Sequence, residues 1–478
     1  MPKLILTFVF LIPFSILSIP IGGSYIDVST LIAGVICAIV VANMITGRLR
    51  VRLNDAWLLP FVGFVIFCLS WLLLSDYFPM ALGKGLVQLV GVSIMLCTAL
   101  AVSRATQRFG IQFPFRPLLI ALTIIASVGI WQCVDLNLLR TGVLSDLSSL
   151  VGSSRIWRHP GSMGGWYRIN SLNAEPAHFT QYLAILGGIA LLRLGFGGRE
   201  HRFSLKNVLP RPVAALFIAS FLLALSIIGY AIIGLLIGSI FFITHQIHLG
   251  RLFSRKVIII GTILLLGTLG GIRVLSNSSD AALLIKMQTI PAILTSQAGV
   301  ESVATEAISS LALGANISVA LANFTTHPLS GGGVGTHPLA YVRMAPDWIQ
   351  LHPTLNGLNA DDAASLLLRL LSETGLIGLG LYLSGFAFVV FRARQAILQG
   401  LAVLRKHQQP IPQEVSLCIG FLASTMTLFM VYLARMGLYY APTLWLLLGI
   451  SAAIPTLVHR SLPPSMSSMR QFHEDHCS

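Results

Sequence analysis

The chain is a succession of apolar runs, most of them long enough to cross about 30 Å of hydrocarbon as a helix rising about 1.5 Å per residue, joined by polar connections. Hydropathy predicts twelve helices, at residues 4–22, 26–46, 57–75, 80–102, 117–134, 178–196, 213–228, 229–248, 257–275, 366–391, 415–434 and 438–458. The run at 213–248 is too long for one span and divides near Gly229-Tyr230. The first run follows Lys3 in the manner of a signal peptide, but no small-residue cleavage site comes after it, and it reads as a retained helix. The expected fold is an all-α integral membrane protein of about twelve transmembrane helices.

Two connections are far longer than the rest: about 43 residues from Asp135 to Ala177 and about 90 from Ser276 to Ser365. Loops of this length in a compact bundle are usually functional. The second carries helical periodicity at Ala281–Leu294 and Val300–Phe324, which predicts a small helical subdomain. The chain accordingly divides into residues 1–275 (nine helices and the loop 135–177), 276–365 (the large loop), 366–458 (three helices) and a tail, 459–478.

Lys and Arg are retained on the cytoplasmic side of a membrane. Alternate connections are basic: Arg48, Arg50 and Arg52; Arg104, Arg108 and Arg116; Arg199, Arg202, Lys206 and Arg211; Arg251, Arg255 and Lys256; Arg392, Arg394, Arg405 and Lys406. This places both termini in the cytoplasm and both long loops on the outer side. Composition agrees, with 55% hydrophobic and 10% charged residues in 478 and a mean hydropathy of +0.82. The net charge of +14 would suggest a nucleic-acid partner, but the basic residues fall between spans, and none is expected. Five of the six cysteines sit in or beside apolar runs without CxxC spacing, so they read as small core residues.

Ion-coupled transporters keep ionisable residues within their spans, whereas the span centres here are almost free of them. Polar residues gather instead in three constellations at the outer ends of helices. The first is Arg168-Ile-Asn-Ser-Leu-Asn-Ala-Glu175-Pro176-Ala-His178. Pro176 suits a first helical position and Glu175 the positive helix end; Arg168 beside the headgroups suits a bidentate grip on phosphate or a lipid headgroup. The second is His327-Pro328-Leu-Ser-Gly331-Gly-Gly-Val-Gly335-Thr-His337. It lacks the Gly-Lys-Ser/Thr ending of a P-loop and follows no strand, so it reads as a tight turn and not a nucleotide loop. The third comprises Arg343, His352 and Asn359-Ala-Asp361-Asp362 leading to Arg369, Glu373 and Gly375. Asn359 fits an N-cap with both Asp residues in the first helical turn, Arg369 and Glu373 are spaced to pair, and the spacing of Asp362 and Arg369 puts them on one face. No cofactor or metal is expected, since no His cluster has ligand spacing.

These segments resemble the polytopic O-antigen polymerase and O-antigen ligase superfamily of bacterial envelope-polysaccharide enzymes. The resemblance lies in Arg168 to Pro176, in Phe324-Thr-Thr-His-Pro-Leu-Ser-Gly-Gly-Gly-Val-Gly335, and in Leu370-Leu-Ser-Glu-Thr-Gly-Leu-Ile-Gly-Leu379. The Glu-Pro form of the first motif is more similar to polymerases. The resemblance implies a GT-C-like, metal-independent, inverting glycosyltransferase of the bacterial inner membrane, acting at its outer face on polyprenyl-diphosphate-linked oligosaccharides. It further implies Arg168, Arg343 and Arg369 on the diphosphate, Glu175, His352 or Asp362 as the base, membrane lipid around the chain and a chain-length regulator as protein partner. The position nine residues before Glu373, a His in many relatives and in ligases especially, is Ala364; an Arg expected in the loop helix is absent from Leu313-Gly-Ala-Asn316. The expected activity is polymerisation of lipid-linked repeat units. Ligation of a finished glycan to an acceptor such as lipid A core is the alternative, and a flippase for the same lipid-linked sugars is a third.

Overall fold

The computed structural model describes residues 1–14, 17–21, 24–52, 55–141, 162–163, 166–173, 175–195, 205–245, 300–345, 350 and 356–462. It is almost entirely helical: α1 (Pro2–Leu11), α2 (Val28–Ile45), α3 (Leu58–Leu74), α4 (Leu82–Phe109), α5 (Gln112–Val134), α6 (Pro176–Leu194), α7 (Arg211–Leu223), α8 (Ile227–Thr244), α9 (Val300–Thr326), α10 (His337–Met344), α11 (Leu366–Lys406), α12 (Gln413–Arg435) and α13 (Pro442–Ser461). Eight of these are long and apolar enough to cross a membrane (α2, α4, α5, α6, α8, α11, α12 and α13), while α1, α3 and α7 are shorter apolar helices. The protein is a multi-pass membrane protein. The helix expected at 257–275 and the one at 281–294 lie outside the described residues; the loop helix expected from Val300 is α9.

Three boundaries differ from hydropathy for local reasons. The first helix stops at Leu11, and Ser18–Ile21 (β1) pairs antiparallel with Ser24–Asp27 (β2), Ser18 opposite Asp27. An apolar strand pair has the same mean hydropathy as an apolar helix, so hydropathy alone does not separate the two. The long run at 213–248 divides at Ala224–Ser226, several residues before Gly229, because Ser226 caps α8 by accepting from the Gly229 amide. At the other extreme α11 runs past the expected end to Lys406, carried by helix-favouring Arg, Gln, Leu and Ala.

One end of the bundle is basic and knitted by arginines. Arg104 pairs with the buried carboxylate of Asp55, Arg460 donates to the Gln107 carbonyl, Arg193 to that of Leu209 at 2.8 Å and Arg394 to that of Phe242 at 2.9 Å. In the core α6 crosses α12 where Gly188 meets Gly420; a Cβ on Gly188 would lie 2.6 Å from the Gly420 carbonyl. Such small-residue contacts let helices approach where lipid offers no hydrophobic drive. Toward the opposite end α3, α11 and α13 enclose an aromatic block. The Phe61 ring stands 5.7 Å from Tyr382, 5.5 Å from Phe386 and 4.9 Å from Trp445, each edge-on or tilted. Tyr382 Oη and Trp445 Nε1 both donate to the Tyr439 carbonyl, at 3.1 and 2.8 Å, so the α12–α13 connection is fixed from below.

Candidate active site at the end opposite the basic face

The second and third sequence constellations interlock. Gly375 (φ 59°, ψ −160°) breaks α11 and frees the carbonyls of Ser372 and Glu373 and the amides of Leu376 and Ile377. In a low-dielectric interior such groups need partners. The glycine turn supplies all four: the Gly332 amide donates to Ser372 O (3.0 Å), Gly333 to Glu373 O (2.9 Å), Leu376 to Pro328 O (3.0 Å) and Ile377 to Leu329 O (3.0 Å). Close approach explains the composition. A Cβ on Gly331 would lie 2.4 Å from Glu373 C, and one on Gly375 2.5 Å from Leu329 C; both residues also have positive φ. Trp71 Nε1 donates to the Gly331 carbonyl at 2.9 Å and Ser75 Oγ to that of Gly332, tying the turn to α3.

Beneath this joint lies a buried polar network. Glu373 is wholly buried and its Oε2 accepts from Arg369 Nε (3.3 Å) and Tyr439 Oη (2.9 Å), while Oε1 accepts from the His337 amide at 3.3 Å. Arg369, 2% exposed, also donates to the Gly437 carbonyl at 2.6 Å and lies over the Tyr439 ring at 4.7 Å. Asn316 Nδ2 donates to the carbonyls of Ala312 and Leu358, so its Oδ1 faces His337 Nε2 (3.0 Å) as acceptor, and the imidazole carries its proton on Nε2. Nδ1 then accepts from Ser372 Oγ at 2.9 Å, which in turn accepts from Asn323 Nδ2 at 3.0 Å. Burial pulls the His337 imidazole from 6.5 down to about 4, so the ring is neutral at physiological pH.

The first constellation is held by α5. Gln132 Oε1 accepts from the amides of Asn170 (3.0 Å) and Ser171 (2.8 Å), and the Asn137 side chain pairs with both backbone groups of Tyr167. Between these clamps Arg168 is half-buried, with Nε enclosed and unpartnered among the described residues. Burial pulls its guanidinium below the ordinary range, and the neighbouring Glu175 and Tyr230 act in the opposite sense. Glu175 occupies the N-cap position of α6 in extended conformation, with Pro176 first in the helix, but its side chain makes no capping bond. Electrostatically it answers Arg168.

The remaining predicted residues are dispersed. Arg343, in the last turn of α10, is exposed and lies over the Tyr77 ring at 4.7 Å. His352 lies outside the described residues. Asp361 and Asp362 are not in a first helical turn, and Asn359 is not a cap. Ser365 is the N-cap of α11, accepting from the Leu368 amide at 3.3 Å, and Asp362 Oδ1 accepts from the Ala364 amide at 3.0 Å, a local bond that competes with the helix. The common helical face inferred for Asp362 and Arg369 therefore does not exist, although the two remain within electrostatic reach. Asp361, exposed, pairs with Lys84 at 2.7 Å, which holds its carboxyl below the usual range. Arg369 is committed to Glu373, Gly437 and Tyr439 and presents no open donor face.

Tyr439, Ser372, Asn316 and Asn323 escaped the sequence reading because isolated polar residues in apolar or helical runs carry no spacing signal. Arg435 also escaped, although an arginine closing an apolar span at the end away from the basic loops is a visible anomaly. Among the described residues no three His, Cys, Asp or Glu side chains converge as a metal centre. No family model matches the chain, and no curated protein matches it.

Proposed function

We propose that the protein is a glycan polymerase of the bacterial inner membrane, with twelve spans, both termini cytoplasmic and a GT-C-like loop subdomain at the outer face. It transfers glycan from a polyprenyl-diphosphate-linked oligosaccharide to an incoming lipid-linked repeat unit. The observation that carries this reading is the juxtaposition of Arg168 and Glu175 at the end away from the basic face. A half-buried guanidinium with an enclosed Nε unpartnered among the described residues stands within electrostatic reach of a carboxylate, at the level where a lipid diphosphate would lie. The interlocked second and third motifs support it by building a rigid wall at that end.

In an inverting transfer the acceptor hydroxyl attacks the anomeric carbon from the face opposite the leaving diphosphate. Arg168 neutralises charge developing on the diphosphate. A carboxylate takes the hydroxyl proton. Among the candidate bases Glu175 is the one placed beside Arg168, and Asp362 is engaged with its own backbone.

Deleting the gene and sizing surface and lipid-linked glycans tests the reading. Single repeat units on the final acceptor are expected. Long chains stranded on the lipid carrier would instead identify a ligase, and single units held on the cytoplasmic side a flippase. Arg168→Ala at normal abundance should reproduce the deletion, and normal chain lengths in that variant would remove Arg168 from the mechanism.

A further inference from the structure

Cys37 lies near the middle of α2 and Cys97 near the middle of α4. A hydrogen bond between the helices fixes their relative level. Thr98 Oγ1, next to Cys97, donates at 3.4 Å to the Ala33 carbonyl, which in helical register is the one that receives the Cys37 amide. Ala33, Ile36 and Val40 turn one face of α2 into the bundle, and Cys37 sits at the edge of that face. There the Cys97 thiol comes within hydrogen-bonding reach of the Cys37 thiol.

The described cysteines divide into two kinds. Cys68, Cys133 and Cys418 are buried, as small core residues are, whereas Cys37 and Cys97 are half-buried and are the two that meet. At mid-span, the part of them left uncovered faces hydrocarbon. A charged thiolate is costly in that medium, but a disulfide carries no charge and no donor to satisfy. The helix that must move to form one is loosely held: α2 buries 22% of its span against 61% for α4. Few buried contacts leave it free to close the gap from thiol contact to a sulfur–sulfur bond of about 2.05 Å.

We infer that Cys37 and Cys97 are a redox-active pair that closes to a disulfide across the α2–α4 contact, with a membrane quinone as the oxidant. This chemistry is separate from the proposed glycan transfer. The position of the pair calls for an oxidant that dissolves in hydrocarbon and accepts two electrons, and quinones are of that class. Two S–H bonds break and one S–S bond forms. The two electrons and two protons pass to the quinone, whose carbonyl oxygens become the hydroxyls of a quinol. The bond pins α2 to α4, and with α2 the β1–β2 hairpin that leads into it.

The test uses the purified full chain in nanodiscs, freed of reductant and treated with decylubiquinone. The chain is then denatured, its thiols are counted by mass spectrometry after reaction with N-ethylmaleimide, and linked peptides are mapped. The count should fall from six to four, with Cys37 and Cys97 in one linked peptide, and dithiothreitol should restore all six. Cys37→Ala and Cys97→Ala should each keep all their remaining thiols, whereas Cys477→Ala, in the tail, should still lose two. Six free thiols after both decylubiquinone and copper phenanthroline overturn the pair. A Cys37–Cys97 bond formed by copper phenanthroline alone shows proximity without quinone chemistry and overturns the proposal as well, as does a linkage through any other cysteine. If a variant does not fold, the peptide map of the parent chain decides by itself.

Discussion

Glu373 and His337 illustrate how a buried polar residue is held without water. Glu373 accepts from Arg369, Tyr439 and the His337 amide, and Arg369 also donates to Gly437 and lies over the Tyr439 ring, the kind of pairing under which a buried charge is tolerated. His337 is satisfied as a neutral ring, and its titration has a definite sign. The unfolded chain protonates near 6.5 and the folded one near 4, so the stabilisation is fully present above pH 6.5 and is lost as pH falls through about 4. Protonation would also place a hydrogen on Nδ1, against the Ser372 hydroxyl proton. Thermal unfolding in detergent should show a midpoint that drops between pH 6.5 and 4, with a shallower drop in His337→Gln. Equal slopes for the two chains would show that this imidazole does not govern acid stability. In the sequence His337 is visible as the end of the glycine cluster, but nothing in a linear pattern links it to its partner Asn316.

At the scale of the element, the joint between the 327–335 turn and the break in α11 is a non-helical piece of backbone at the end of a span, stabilised entirely by chain-to-chain amide bonds. The requirement for glycine is geometric. Gly375→Ala combines a positive φ with a Cβ 2.5 Å from Leu329 C, and a loss of about 2 kcal/mol or more is expected. Gly380→Ala, five residues further along the same helix with nothing within 4 Å, should leave the unfolding midpoint unchanged or slightly raised. Similar midpoints for both variants would mean that the joint relaxes at little cost. The glycine cluster is legible in the sequence as a tight turn; that it docks onto Ser372–Ile377 depends on α11 breaking, and hydropathy is blind to a break that leaves an apolar run apolar.

The whole molecule sorts its charges by end. Arginines knit one end through carbonyls and Asp55, while the opposite end collects Arg168, Glu175, Asp27, Arg435 and the Lys84–Asp361 pair. If the basic end faces the cytoplasm, as retention of Lys and Arg requires, an impermeant maleimide should label Val342→Cys on intact spheroplasts and Arg48→Cys only after permeabilisation, each relative to the parent chain. Both parent residues are exposed. Reversed labelling would put the candidate site in the cytoplasm and exclude an outer-face transfer.

The mainly helical, multi-pass membrane character of the chain is legible in the sequence because burial in hydrocarbon selects apolar side chains residue by residue, and this leaves its mark in composition. Arg168, Glu175 and the glycine turn are legible for a related reason: each departs from the apolar background at a span end. The pairing of Ser18–Ile21 with Ser24–Asp27, the Ser365 cap in place of Asn359 and the break at Gly375 were decided only by the tertiary structure. They depend on which backbone groups find partners far apart in the chain, and a hydrogen bond between Gly333 and Glu373 has no representation in local hydropathy.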